Sequence, residues 1–146
     1  MLGLAKRKVE EVYQKENKQI NNVLLTRFDI ERILLILNEK DQVDGIYINF
    51  CNPWPRGKHH KKRLTHTKQL EHYKQFLKSE GAIYFKTDDD NLFEESLIYF
   101  KQTGFQIAKI TRDLKSEEDF WENIETEHEE MFSSQGIKIK ACIARK

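Results

Sequence analysis

The spacing of apolar residues along this chain alternates between the helical period and the short runs of buried strands. Leu2, Ala5, Val9, Val12 and Tyr13 fall near one face of a helix over residues 2–16, which Asn21 and Asn22 break. Val23 to Phe28 reads as a short strand. Asp29 then stands where an N-cap belongs, ahead of Ile30, Ile33, Leu34 and Leu37 at helical spacing. Residues 43–50 return to a strand, with Ile46, Tyr47, Ile48 and Phe50 placed as if buried on both faces. Leu70, Tyr73, Phe76 and Leu77 mark a helix. Gly81 ends the connection after it, and Ala82 to Thr87 is another buried strand. One of Asp88, Asp89 and Asp90 caps a helix over 91–101 that turns Phe93, Leu97 and Phe100 inward, and Gly104 lies just past its end. Phe105 to Ile110 is a strand, Ser116 opens a short acidic helical stretch, and Thr126 opens another that Gly136 closes. Ile137 to Ala144 alternates as a last strand. The alternation predicts a single α/β domain over 1–146 with a mostly parallel sheet, and a short final connection that allows an antiparallel pair.

Composition narrows the class. With 146 residues, 34% of them charged and 38% hydrophobic, the chain is long enough for one domain with a sizeable core. No apolar run approaches the ~20 residues that span a bilayer. The first residues, MLGLAKRKVEE, lack the apolar centre of a signal peptide. Cys51 and Cys142 have no C-x-x-C partner and read as reduced thiols of a cytoplasmic protein.

The net charge of +1 hides a segregation. Arg56 to Lys68 holds six Lys or Arg, three His and no acid. The acids gather at Asp113, Glu117, Glu118, Asp119, Glu122, Glu125, Glu127, Glu129 and Glu130. Each run could be a plain solvated face. The basic run, however, follows a rigid turn, CNPWP, at the end of strand 43–50. Pro53 and Pro55 fix φ and remove two backbone donors there. Trp54, between them, can wall a ligand pocket or pack as an ordinary core aromatic. The carboxyl end of a buried parallel strand is where open α/β sheets hold ligands, and positive charge beside it points to a phosphate-bearing partner. His59, His60, His66 and His72 lack the Cys or carboxylate spacing of a zinc site, so no metal is expected; His in a basic loop suits RNA better.

The stretch NFCNPWPRGKHHKKRLTH, followed by FKTD at 85–88 and TEHEEMFSSQG at 126–136, resembles the ordered motifs of the bacterial tRNA (guanine-N7-)-methyltransferases. The resemblance spans nearly the whole chain. It implies a class I, Rossmann-like fold dependent on S-adenosylmethionine, with tRNA as substrate and 7-methylguanosine as product. It also implies roles. Asp29 would meet the adenine end of the cofactor, or simply cap its helix. Asn52 stands where the family usually has Asp, keeping an acceptor while losing the charge, and would contact cofactor or base. Asp88 would hold the guanine, or cap the next helix. Arg56, in place of the usual Lys, would contact substrate, as would Thr126, Glu127, His128 and Glu129 in the family's T-x-x-E, with His128 for the usual Tyr. Thr-x-x-Glu is equally a capping box. Lys58, Lys61, Lys62 and Arg63 would hold RNA phosphates.

Two parts of that fold are missing from the sequence. The six glycines include no G-x-G, and no acid ending a second strand is present to hold the ribose. Aligned to the family's sheet order, 3-2-1-4-5-7-6, strand 23–28 would be the third and strand 43–50 the fourth, with Met1 falling after the first two. The expectation is therefore a carboxyl-terminal portion lacking its first two strands. Two alternatives stand beside this reading. Asn52-Pro53-Trp54 also resembles the N-P-P-aromatic motif of exocyclic-amine methyltransferases, and a non-catalytic tRNA-binding remnant would need no cofactor loop.

Overall fold

A computed structural model describes all of residues 1–146. Four strands form one sheet: β1 (Val43–Asn49), β2 (Leu77–Thr87), β3 (Gln106–Thr111) and β4 (Lys140–Arg145). Their spatial order is β1-β2-β4-β3, with β1 parallel to β2 and β4 antiparallel to both neighbours. This is the 4-5-7-6 end of the sheet order expected from the sequence, with the antiparallel last strand in place. Helix α1 (Leu2–Lys15) precedes the sheet. α2 (Thr67–Phe76) links β1 to β2, α3 (Asp90–Gln102) links β2 to β3, and α4 (Glu127–Ser134) lies before β4.

The main core lies on the α2/α3 face of the sheet. Leu70, Tyr73 and Phe76 of α2 and Leu92, Phe93 and Phe100 of α3 pack on Ile48, Ile83 and Phe85. A smaller cluster on the opposite face joins Leu114, Phe120, Ile139, Ala141 and Ile143, with Tyr84, Trp121 and Phe132 against it. Caps bound the later helices: Asp89 accepts from Leu92 N at the start of α3, and Gly104 and Gly136 take the positive-φ positions after α3 and α4.

Several expectations fail, each for a physical reason. Residues 23–28 form no strand, because they lie against no strand of the sheet and their backbone gains no ladder bonds; Leu24 is fully exposed. Helix 30–37 is a tighter 3-10 segment over Ile30–Leu35, though its apolar side does pack on the core. α1 forms, but none of its residues is buried. β1 is covered on one face only: Tyr47 is 66% exposed and stacks on Tyr84 across the open face, and the outer edge of β1 is unpaired. Ser116 ends a single 3-10 turn, and no helix follows before Glu127. Gly81 ends no loop, because α2 runs straight into β2. Between Val43–Leu77 and Gly45–Ala82 the strands lose register, and β2 bulges. A Cβ at Gly81 would lie 2.7 Å from the Leu77 side chain and 2.9 Å from Lys78 O, so the bulge requires glycine there.

An unusual residue caps α2. His66 Nδ1 accepts from Lys68 N at 3.2 Å, which requires that nitrogen to be unprotonated. Burial lowers the His66 pKa from 6.5, and the positive charges of Lys61, His60, Arg63 and Lys68 push in the same direction. A lowered folded-state value means that this group stabilises the fold fully above its ordinary pKa and loses that contribution as pH falls through the lowered one. His66→Asn supplies a cap that does not titrate. The stability advantage of wild type over His66→Asn, from urea unfolding, should shrink between pH 7.5 and pH 5. A constant difference would refute it.

Candidate functional site

The parallel pairing of β1 and β2 puts the chain's three motifs at one end of the sheet. Asn49 pairs with Lys86, and Phe50 N donates to Lys86 O at 3.0 Å. Asn52 and Asp88 therefore leave the carboxyl ends of neighbouring strands on the same side. Phe50, at φ +50, also carries the third motif, since the His128 ring stacks on it with centroids 5.8 Å apart.

The turn after β1 is held from inside and out. Asn52 Oδ1 accepts from Trp54 N at 3.0 Å, which fixes an Asx turn and lets Trp54 sit at φ +43. Asn52 Nδ2 has no protein partner and remains a free donor. Trp54 is half-buried, with His59 edge-on at 5.8 Å and Lys62 Nζ 4.9 Å above the ring.

The basic loop divides into two kinds of cation. A 3-10 segment over Gly57–Lys62 leaves Lys58, Lys61 and Lys62 exposed, with Arg56 just before them. None of the four forms an ion pair within the chain. Arg63 differs. It is 0% exposed, donates from Nε to Pro53 O at 2.7 Å and from an Nη to Asn91 Oδ1 at 3.0 Å, and pairs with Glu95. The expectation that Arg63 faces RNA fails, because its guanidinium is spent tying the proline turn to α3. Burial alone would raise the Glu95 pKa, but the Arg63 bond and charge outweigh it and hold the carboxyl below its ordinary value.

Asp88 is half-buried, and its carboxylate forms no hydrogen bond in the chain; the helix cap is Asp89. Capping therefore does not explain Asp88, and its carboxylate stays available to a ligand. Asp29 behaves otherwise: it caps its own segment through Glu31 N at 3.0 Å and makes no hydrogen bond to the Asn52–Asp88 end. Thr126 Oγ1 accepts from Glu129 N at 3.2 Å, but the return half of a capping box does not form. The Glu129 carboxylate instead turns inward to Lys86. Glu127 and His128 point outward, and Glu127 pairs with Lys8 of α1, whose ammonium holds its carboxyl below the ordinary range.

The sequence reading missed Lys86, which is 3% exposed in β2. A lysine inside the apolar run AIYFKT was the available signal, since a buried ammonium demands a partner. Beside it a groove of about 570 Å³ opens on the free face, lined by Tyr47, Asn49, Tyr84, Trp121 and Thr126 among others. The histidines diverge: His60 faces Glu95, His66 caps α2, and no group of three His, Cys, Asp or Glu stands in reach of one ion. Burial pushes the Cys51 thiol up to about 11 and that of Cys142 up to about 12, so neither is a ready nucleophile. No helix is long and apolar enough to cross a membrane.

Comparison with known proteins places the chain. A family model described as a putative methyltransferase matches residues 2–142. A tRNA (guanine-N(7)-)-methyltransferase of Clostridium beijerinckii is 60% identical over all 146 residues, which correspond to 66% of that protein. Proteins of the same name from Clostridium perfringens and Acetivibrio thermocellus are 56% and 47% identical over the same share of their length. The chain thus spans just under two thirds of the curated relatives it matches. Among solved structures, a chain of the complex between the Haloferax volcanii Trm112 methyltransferase activator and a putative methyltransferase aligns with TM-score 0.54 at 12% identity, covering 90% of this chain and 64% of that one, which supports the fold. With a family match over nearly its whole length and the 4-5-7-6 half of the sheet in its structure, this chain belongs to that methyltransferase family.

Proposed function

We propose that these residues form the substrate-facing part of a cytoplasmic tRNA (guanine-N7-)-methyltransferase. The observation that carries this reading is the convergence at one end of β1 and β2. It brings together a free carboxylate at Asp88, a free amide donor at Asn52, the outward stretch Thr126–His128 and four unpaired cations at Arg56, Lys58, Lys61 and Lys62.

S-adenosylmethionine, when bound, supplies a methyl group on a sulfonium, an electrophile that the guanine N7 lone pair attacks without a general base. The residues here fit only part of that cofactor. Asn52 Nδ2 offers a donor and Asp29 an exposed carboxylate, but no glycine-rich turn or ribose-holding acid is available within 1–146. The work of these residues is alignment and charge placement. Asp88 accepts from the N1 and N2 hydrogens of guanine and stabilises positive charge as it develops on the ring. Thr126, Glu127 and His128 orient the nucleotide. Arg56, Lys58, Lys61 and Lys62 neutralise phosphates, and Trp54 walls the site.

The exocyclic-amine alternative needs the Asn52 oxygen as the acceptor for the target amine. That oxygen already accepts from Trp54 N and keeps one lone pair, whereas both hydrogens of the amide nitrogen are free, so the turn presents the donor more fully than the acceptor. The binding remnant draws support from the unpaired edge of β1.

Filter binding to unmodified tRNA over a range of salt tests the loop. Affinity should fall steeply, and Lys58→Ala, Lys61→Ala and Lys62→Ala should each reduce the slope by roughly one unit. Arg63→Ala should leave the slope unchanged wherever the variant remains folded. Salt-insensitive binding would count against the proposal.

A further inference from the structure

Lys86 is the one fully engaged cation on the free face of the sheet. Its ammonium has three hydrogens, and all are used: Glu129 Oε2 at 2.5 Å, Asn123 Oδ1 at 2.9 Å and Ile124 O at 3.0 Å. Glu129, 6% exposed, takes a further bond from Asn123 Nδ2 through Oε1 at 2.8 Å. Asn123 Oδ1 also accepts from Trp121 Nε1 at 2.9 Å. Trp121 in turn stands edge-on to Tyr84, which shares a face of β2 with Lys86.

These bonds have more to hold than an isolated ion pair does. Residues 121–125 make no backbone-to-backbone hydrogen bond, so neither helix nor ladder fixes their path. Just upstream, Lys109 holds Asp119 O and Phe120 O and the Phe120 ring is buried in the smaller core; beyond them the stretch is fixed by Lys86 at Asn123 and Ile124, and α4 is fixed by the same ammonium at Glu129. Thr126 lies between those anchors, and His128 is carried onto Phe50. A lysine two residues before Asp88 thus links the strand end that bears Asp88 to the stretch that bears Thr126 and His128.

We propose that Lys86 is the positioning residue of the stretch 121–128, and that Glu129 acts on the substrate only through it. This rests on the reading of Thr126–His128 as a tRNA contact. With both oxygens committed inside the protein, Glu129 is a strut. Substrate contact in this motif falls to Thr126, Glu127 and His128.

The test separates positioning from simple stability. In Lys86→Met/Glu129→Met both charges are removed together, so no buried charge is left unpaired. The double variant should melt close to wild type. Its His128 ring protons, assigned with His128→Gln, should lose the shift imposed by Phe50, and the backbone amide at position 129 should exchange roughly tenfold faster than in wild type. Should the pair fail to fold, Asn123→Ala keeps the ion pair and alters an exposed residue. It should free the Trp121 indole, shift its emission to the red and move the same His128 signals. Wild-type His128 signals and wild-type amide exchange at position 129 in a folded variant would overturn the proposal. A tRNA competition against duplex RNA of equal length distinguishes the two readings. A variant with a loosened 121–128 stretch and wild-type preference for tRNA would leave Lys86 as the positioning residue and remove Thr126–His128 from the tRNA contact.

Discussion

Replacing Arg63 with Ala should cost the fold about 3 kcal/mol while Lys61→Ala and Lys62→Ala stay within about 0.5 kcal/mol of wild type. Arg63 is enclosed and holds Pro53 O, Asn91 and Glu95 at once. Its loss strands a carbonyl and a carboxylate together. Breaking a buried pair by removing one partner typically costs about 3–5 kcal/mol, and the lower end applies because the Glu95 side chain keeps 30% exposure and can rehydrate. For a chain of this size that is a fall in melting temperature of roughly 10 °C. Arg63→Lys should recover little, since an ammonium on a flexible stem cannot make three divergent bonds from one plane. Thermal unfolding of the four variants checks the contrast. An Arg63→Ala protein that melts like wild type but binds tRNA with a shallower salt slope would return Arg63 to the RNA surface.

That contrast also marks what sequence can and cannot reveal. Along GKHHKKRL, Arg63 looks like its neighbours. What distinguishes it is the arrival of Asn91 and Glu95, 28 and 32 residues later, on the face of α3 that meets the turn. No local pattern encodes that arrival. From Val43 onward the four strands and the helices between them were legible, because each buries a face and the ends of α3 and α4 carry their own cap and glycine, whereas the α2–β2 junction has neither and its boundary was misplaced. Residues 23–28 had the composition of a strand and formed none, since a strand is stable only with a neighbour to take its backbone bonds. The same reasoning explains β1. Its Tyr47 was read as buried and lies open, because only the neighbouring Tyr84 ring packs against it on that face.

The candidate site divides along the same line. Asn52, Asp88 and Thr126 were legible as motif positions, and the geometry sharpened each of them: a turn-forming amide with a free donor, a carboxylate that capping does not explain, and a half-formed capping box. The reason the box is half-formed lay in Lys86, 43 residues before Glu129. A lysine in an apolar strand signals that an acid must meet it, yet nine acids between 113 and 130 could have been the partner.

Residues 1–146 by themselves should show no detectable methyl transfer to unmodified tRNA, although they bind it weakly and in a salt-sensitive way. Asn52, Asp88 and the unpaired cations are assembled at one end of β1 and β2. Nothing in these residues forms a glycine-rich turn, and the outer edge of β1 has no strand against it. Methyl transfer depends on holding donor and acceptor in line. Such alignment is worth roughly 7–11 kcal/mol of barrier, or about five to eight powers of ten in rate. One amide, and an Asp29 carboxylate committed to capping its own segment, cannot supply it. Supplying a glycine-rich strand-turn-helix segment, fused to the chain or added in trans, should restore 7-methylguanosine formation. Asp88→Asn in the restored protein should then lower turnover by about two to three powers of ten, the scale seen when a preorganised electrostatic contact is lost. Transfer of a labelled methyl group, followed by nucleoside mass spectrometry, reads both results. Robust transfer by the 146 residues alone would mean that the cofactor is held by Asn52, Asp29 and the open edge of β1 without any glycine turn. A restored enzyme indifferent to Asp88 would move the guanine contact to Thr126–His128, the other group that faces the same end of the sheet.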